Sequence, residues 1–470
     1  MASLSTAPRE GERRGMGGRA QGGVRGRWAR AGALLALVGA LGGGALLRRP
    51  RAALPKHLLG HPFEVTPDML TPEQAGRLLA LGKRVGSFPT NVNTSVVVGV
   101  RHEHIGEAAP RAPNGECEHP LMVPSRGNSS ECVLAGRIDI ARHFLTHGGV
   151  EGFKEGYRVG SSRLQSFMAM WFAEDFEPVM HELFESERFA GAARRICPAD
   201  SQHLDPLQFN IIVNVPGQTV ALHLDSVHFW GANRFQFPEW LLAAMAFSDL
   251  FRDRFVPQVQ TVAYFHNWTE SPEGVRPEVK EGHFVLYDSN GPPRRLPPRP
   301  RSGLSVDGSK VVHAAATYFP EREPPFIDKS RPNELRWDPE REMWDLLTDG
   351  ERRASYRDSD LRLSLVFRAR CFPDAEEAAR YRSQTESDLL SLDAVLSVFR
   401  EDLRRRGRLT AEEEAADDRL LLALRILDTY VRYPLPPDAL LPFNICLAPL
   451  LLPASLRAPA ARALRLLLRC

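Results

Sequence analysis

His223 and Asp225 stand two positions apart, and a further isolated histidine, His313, follows far along the chain. On an extended segment, side chains at i and i+2 project to one side, so a third imidazole from a distant strand can complete a two-histidine, one-carboxylate metal face. Such a face leaves coordination positions open, which suits Fe(II) sites that activate oxygen. Later comes the run Arg362-Leu-Ser364-Leu-Val-Phe-Arg368. Read as a strand, it puts Arg362, Ser364, Val366 and Arg368 on one face and Leu361, Leu363, Leu365 and Phe367 on the other. The apolar face can pack on helices, while Arg362 points inward with a planar donor pair that matches a carboxylate. Each piece alone is weak, because HxD arises by chance and a single histidine is commonly structural. Their order along the chain makes the case.

The elements that must position these residues are short and β-rich. Phe209 to Val215, Gln218 to Leu224, Val259 to Phe265, His283 to Tyr287, Lys310 to Ala315 and Arg362 to Phe367 are rich in Val, Phe and Tyr and are separated by Gly, Pro and Asn. This pattern predicts an all-β barrel or jelly roll, interrupted by a helix around residues 238 to 251. Upstream, Thr71-Pro-Glu-Gln74 has the threonine cap, first-turn proline and capping-box glutamine of a helix running to about Val85. Residues 86 to 135 read as loops with a strand at Ser95 to Val100. Residues 136 to 196 read as helical, with core stripes at Phe167, Met170, Trp171 and Phe172 and at Met180, Leu183 and Phe184. After Pro373, one long amphipathic helix is expected over residues 375 to 406. Gly407 breaks it, and Thr410-Ala-Glu-Glu413 opens a second helix to about Tyr433.

Within this frame the residues carry a family resemblance. Leu-Gln-Phe-Asn-Ile-Ile-Val-Asn-Val-Pro-Gly-Gln-Thr-Val-Ala-Leu-His223-Leu-Asp225 resembles the double-stranded β-helix of Fe(II)- and 2-oxoglutarate-dependent dioxygenases, where a strand, a Pro/Gly turn and a second strand lead into HxD. Glu-Gly-His-Phe-Val-Leu-Tyr287-Asp resembles the strand that often reads GGxLxxY. Leu304-Ser-Val-Asp-Gly-Ser-Lys-Val-Val-His313 resembles the strand carrying the second iron-binding histidine. Arg362-Leu-Ser364 is similar to the terminal Arg-x-Ser that holds the far carboxylate of 2-oxoglutarate. The resemblance covers residues 205 to 372, and the Thr71 helix resembles the start of a prolyl-hydroxylase-like region.

The resemblance implies an α+β fold with a jelly-roll core between N-terminal and C-terminal helical regions. It implies His223, Asp225 and His313 as Fe(II) ligands, 2-oxoglutarate and O2 as cosubstrates, and ascorbate as an accompanying reductant. Many relatives place the cosubstrate arginine soon after the second histidine, a spacing that Arg322 satisfies better than Arg362. Arg322 lies in Phe-Pro-Glu-Arg-Glu-Pro-Pro, which cannot pair as a central strand, so Arg362 is preferred and residues 320 to 358 become an insertion over the site mouth. Arg368 is either a second carboxylate contact or a salt-bridged surface residue. Asn214 and Tyr287 are candidates for the barrel interior, and His228 for the substrate pocket. A catalytically silent scaffold on the same fold is the alternative. A zinc hydrolase is a further one, but no HExxH motif accompanies the triad.

Composition and the termini bear on compartment. The 470 residues are 43% hydrophobic and carry 60 basic against 58 acidic side chains, which gives no case for a nucleic-acid-binding protein. Seven arginines precede a charge-free run from Ala31 to Leu47, just long enough to span a bilayer as a helix. The expected organisation is a basic cytosolic tail (1–30), a signal anchor (31–47) with a cleaved signal peptide as the alternative, a stem (48–70), a supporting region (71–204), the oxygenase domain (205–372) and a helical C-terminal region (373–470). This makes a single-pass type II protein facing the lumen of the endoplasmic reticulum or Golgi, acting on a lumenal protein or glycan. Potential N-glycosylation sites lie at Asn93, Asn128 and Asn267. Six cysteines without CxxC spacing exclude a zinc ribbon, and Cys117 and Cys132 are placed to close a short loop in an oxidising compartment.

Overall fold

Alternating inward and outward side chains build the centre of the molecule as two antiparallel sheets. The structure, a computed structural model, describes residues 53–90, 108–112, 117, 121–125, 128, 130–134, 136–147, 157–268, 282–328, 331–435 and 444–467. The expected anchor at 31–47, the strand at Ser95 to Val100 and the sequon at Asn93 lie outside the described residues. No helix among the described residues is long and apolar enough to cross a membrane.

In chain order the elements used below begin with β1 (Phe63–Thr66), α1 (Pro72–Val85), β2 (Ser87–Pro89), α2 (Ile138–His147), β3 (Phe167–Phe172), α3 (Pro178–Glu185) and α4 (Glu187–Ile196). The barrel region follows with β4 (His203–Asn214), β5 (Val220–His223), α5 (Glu239–Ser248), β6 (Gln258–Tyr264), β7 (Phe284–Leu286), β8 (Arg294–Leu296), β9 (Gly303–Val306) and β10 (His313–Ala315). Then come β11 (Asn333–Asp338), β12 (Met343–Thr348), β13 (Glu351–Tyr356) and β14 (Arg362–Phe372). The chain closes with α6 (Ala375–Arg382), α7 (Leu392–Arg405), α8 (Ala411–Ala415), α9 (Arg419–Tyr430) and α10 (Ala454–Leu467).

One sheet runs β1-β9-β6-β14-β4-β3 and the other β8-β7-β10-β5. From β4 to β14 the chain passes repeatedly between the two sheets, and every pairing is antiparallel. This is the expected jelly roll, with helices packed on both outer faces. Val262, Tyr264, Phe284, Leu286, Val306 and Val366 fill the space between the sheets. On the outside of the first sheet, Phe209, Ile211, Leu363, Leu365 and Phe367 pack on α1, α3 and α4. The second sheet turns Leu222, Val285 and Val312 toward α5, α7 and α9.

Several expected elements take a different form. Phe167 to Phe172 is the edge strand β3, not a helix, because its apolar run pairs along β4. The expected long helix over 375 to 406 is interrupted between α6 and α7 by a turn containing the short 3-10 segment Glu386–Asp388, whose Asp388 is tied back to Thr385. The Thr410 capping box forms, but α8 stops where Asp417 turns left-handed, and Asp418 caps α9. The insertion at 320 to 358 is a meander, β11 to β13, that joins β2 and packs Leu335, Trp344 and Leu346 with Phe88 on the outside of the first sheet. It does not cover the site mouth. The Thr71 capping box is present as expected: Gln74 donates from its backbone to the threonine hydroxyl, and its side chain accepts from the Thr71 backbone.

The turn between β4 and β5 requires Gly217. Its φ is 90°, and a Cβ there would lie 2.5 Å from the Pro324 backbone nitrogen.

Two disulfides join described residues. Cys117 and Cys132 pair as expected, and Cys197 at the end of α4 bonds to Cys371 on β14. Cys446 is also disulfide-bonded. Because Cys197 and Cys371 are 174 residues apart, the double Cys197→Ser/Cys371→Ser variant should lose about 3–5 kcal/mol of unfolding free energy. Urea denaturation checks this, and a loss below about 1 kcal/mol would show that the bond constrains little.

Candidate metal centre

β5 ends at His223 and β10 begins at His313, and the two residues are paired across the second sheet. This register brings their rings to a centroid separation of 4.4 Å. Asp225, two residues after His223, completes a group whose ligand atoms all lie within 4.8 Å of one another. Its Oδ1 is 3.7 Å from His223 Nε2 and its Oδ2 is 3.4 Å from His313 Nε2. All three sequence-predicted ligands therefore meet.

Both rings are turned for ligation. His223 Nδ1 lies 2.8 Å from the Ala221 carbonyl, and His313 Nδ1 lies 2.8 Å from the Val311 carbonyl. A carbonyl only accepts, so each Nδ1 carries the proton and each Nε2 keeps its lone pair toward Asp225. Asp225 Oδ2 is buried with no hydrogen-bond partner, an orphaned carboxylate oxygen that a cation would satisfy. The donor set fits a divalent metal with two imidazoles and one carboxylate.

The surroundings tune Asp225 and His313. Burial works against the Asp225 anion, but the Arg368 guanidinium and then the two imidazoles hold its carboxyl well below the ordinary range. Burial and the neighbouring His223 lower His313 to about 4, although Asp225 opposes them. The ring is consequently neutral at physiological pH, as a ligand must be.

The loop bearing Asp225 is held from several sides. Its backbone N–H donates to the Gly308 carbonyl at 2.9 Å, and the Ser226 hydroxyl donates to Glu239 at 2.7 Å. Arg137 pairs with Glu239 and also donates to the Leu224 carbonyl. Arg137 and Arg234 keep Glu239 ionised against its burial at the start of α5.

Gly308 is the tightest fit in the site. A Cβ there would sit 2.1 Å from Asp225 Oδ2 and 2.3 Å from Gln260 Nε2. Gly308→Ala should displace the carboxylate and weaken Mn(II) binding roughly 10- to 100-fold while the protein stays folded. Titration with Mn(II), with circular dichroism as the control, measures this; unchanged affinity would contradict the geometry.

Deeper in the barrel, β14 starts with Arg362, which is 3% exposed. Its Nε donates to the Gly282 carbonyl at 3.0 Å, one terminal nitrogen donates to Asn214 Oδ1 at 3.1 Å, and the other lies 3.4 Å from the Tyr264 hydroxyl. Ser364 stands beside it at 3.4 Å. No carboxylate pairs with Arg362 among the described residues. Trp268 stacks on His266 at 3.6 Å and on Tyr318 at 5.3 Å.

Arg368 is neither a surface residue nor a neighbour of Arg362. At 4% exposure it donates to Asp225 Oδ1 at 2.9 Å, and its Nε and other terminal nitrogen are buried without partners. Arg322 is exposed and lies over the Phe319 ring. Tyr287 also departs from expectation, since its ring joins the cluster outside the second sheet. Asn214 does face inward. Tyr264 and Gln260 were not anticipated as interior polar groups; alternation along Val259 to Phe265 contains the signal, because Gln260, Val262 and Tyr264 fall on one face.

Of the expected glycosylation sites, Asn128 is exposed, with its carbonyl oxygen accepting from the Ser130 hydroxyl at 2.7 Å. Asn267 is half-buried beside Trp268, whose indole donates to the Leu361 carbonyl.

Buried neutral histidines make the metal-free protein acid-sensitive. Burial lowers His266 to about 3, so between pH 6.5 and about 3 the unfolded chain binds a proton that the folded one does not. Stability from this group is complete above pH 6.5 and falls as pH drops through that window, by at most about 5 kcal/mol. Denaturation midpoints at pH 7.5, 6 and 5 should fall more steeply for the parent than for His266→Gln. Equal slopes would reject the assignment.

No family model matches the chain, and no curated protein matches it. Among solved structures it is similar to a Pseudomonas putida prolyl-4-hydroxylase, with 11% identity and a TM-score of 0.29 over 66% of this chain and 92% of that one. It is also similar to a collagen prolyl hydroxylase of Paramecium bursaria Chlorella virus-1, solved with 2-oxoglutarate, at 7% identity and a TM-score of 0.28 over 66% and 97%. A Trichoplax adhaerens prolyl hydroxylase, solved with a hypoxia-inducible-factor peptide, gives 9% and 0.28 over 69% and 87%. These three neighbours are prolyl hydroxylases, but similarity at this level carries no inference, and the reading below rests on the side chains.

Proposed function

We propose that this protein is an Fe(II)- and 2-oxoglutarate-dependent oxygenase. The observation that carries the reading is the pairing, in one barrel, of an open His223–Asp225–His313 face with a buried guanidinium, Arg362, that has no acidic partner among the described residues. A buried cation without an anion is costly, and Arg362 would hold one carboxylate of a dicarboxylic 2-oxo acid, which would supply the missing charge. A zinc hydrolase has no use for that arginine.

Fe(II) and 2-oxoglutarate together would supply oxidative decarboxylation coupled to oxidation of a substrate C–H bond. The chain's own residues do the positioning. His223 and His313 present Nε2 with their tautomers fixed by backbone carbonyls, and Arg368 holds the Asp225 carboxylate ionised and oriented. Arg362, Asn214, Tyr264 and Ser364 form the polar end of the cosubstrate pocket.

A lumenal address is part of the proposal. Its supports are the disulfides, which persist in oxidising compartments, the exposed sequon at Asn128, and the basic leader followed by an apolar run. The substrate would then be a protein of the secretory pathway.

Purified protein incubated with Fe(II), 2-oxoglutarate and O2 should form succinate, and His223→Ala should not. Absence of succinate from parent protein that has taken up Fe(II) would favour a silent scaffold.

A further inference from the structure

A cleft of about 1350 Å³ opens where β4 begins and β14 ends. This is the metal end of the barrel: Arg370, on the cleft wall, is the next inward residue after Arg368, and His228, also on the wall, follows Asp225 by three positions. The volume exceeds the roughly 300–1,000 Å³ usual for small-molecule sites. It suits an extended chain segment.

The chemistry of the walls is distinctive. Phe172 and Phe235 form a tilted pair at 5.4 Å, and Phe235 is 40% exposed. Around them, Glu174, Glu185 and Glu386 are exposed and have no ion-pair partner among the described residues. The two arginines of the cleft do not balance them, because Arg370 and Arg382 both pair with buried Asp205. His228 is 1% exposed, its Nδ1 lies 3.1 Å from the Tyr381 hydroxyl, and its buried Nε2 has no partner. The lining thus combines unpaired carboxylates, accessible aromatic faces and one unsatisfied polar atom next to the metal layer. Aromatic faces and carboxylates both attract cations.

We propose that this cleft is the docking groove for an extended, positively charged peptide segment, so that the substrate is a protein whose target residue lies beside a lysine or arginine. The substrate class rests on the oxygenase reading above; the docking itself does not. The cationic side chain would sit between Phe235 and the glutamates, and the segment would run past His228 toward the metal face.

The test uses the full chain and fluorescent ten-residue peptide pools, randomised except for a central Lys, Arg, Glu or Ala. The Lys and Arg pools should bind at least about fivefold more tightly than the Glu pool, and the difference should shrink with salt. The Glu174→Gln/Glu185→Gln/Glu386→Gln variant, altered only at exposed positions, should lose the preference, and Phe235→Ala should weaken binding of the cationic pools. His223→Ala should bind these pools as the parent does while failing to take up Mn(II). If the Glu and Lys pools bind equally, or the triple variant retains the preference, the groove assignment is wrong. A parent protein that prefers cationic pools but takes up no Mn(II) would instead sink the oxygenase reading and leave the groove standing.

Discussion

Arg362→Met should lower the affinity of Mn(II)-loaded protein for 2-oxoglutarate roughly 100- to 1,000-fold, the cost of removing one partner of a buried charge pair. Mn(II) affinity should be unchanged, because Arg362 touches none of the three ligands. The same substitution should leave the cosubstrate-free protein as stable as the parent, or more so. In that state Arg362 is a buried cation whose partners among the described residues are neutral, and an apolar side chain of similar length avoids its desolvation cost. Calorimetric titration and urea denaturation of the same preparation measure the two effects. A large stability loss with unaltered cosubstrate affinity would make Arg362 a structural residue. Arg322→Ala, at the exposed position, is the control and should change neither quantity.

Asp225→Ala should have two consequences that a second substitution separates. Metal affinity should fall by at least about 1,000-fold through loss of the only carboxylate ligand. Stability should also fall, by about 3 kcal/mol, since Arg368 is left buried without its anion. Adding Arg368→Met should restore much of the stability and none of the metal binding. Denaturation midpoints and Mn(II) titrations of the single and double variants read the coupling directly. If the double variant is no more stable than Asp225→Ala, the 2.9 Å Arg368–Asp225 contact contributes little.

The convergence of His223, Asp225 and His313 was legible because their spacing encodes geometry. An i, i+2 pair on a strand has its direction set by the pleat, and a Pro-Gly turn with a positive φ at Gly217 fixes where that strand begins. Arg362 and Ser364 were legible for the same reason, through alternation along one long central strand. The role of Arg368 was not. Its partner, Asp225, is brought opposite by the closure of the two sheets, a relation that no local pattern carries. Tyr287 was placed on the wrong side because a three-residue strand in which every residue is buried shows no alternation to read. The strand at Phe167 to Phe172 hid because an unbroken apolar run satisfies helical and extended periodicity equally. The break between α6 and α7 depends on Thr385 and Asp388 closing a turn, a small polar signal inside a strongly charged stretch.

Titration of metal-free protein with Mn(II), followed by electron paramagnetic resonance with and without 2-oxoglutarate, tests the central claim most directly. One ion should bind per chain, 2-oxoglutarate should perturb its spectrum in the parent but not in Arg362→Met at the same concentration, and His223→Ala should leave the ion free in solution. Mn(II) bound equally well by His223→Ala, or a spectrum indifferent to 2-oxoglutarate in the parent, would contradict it.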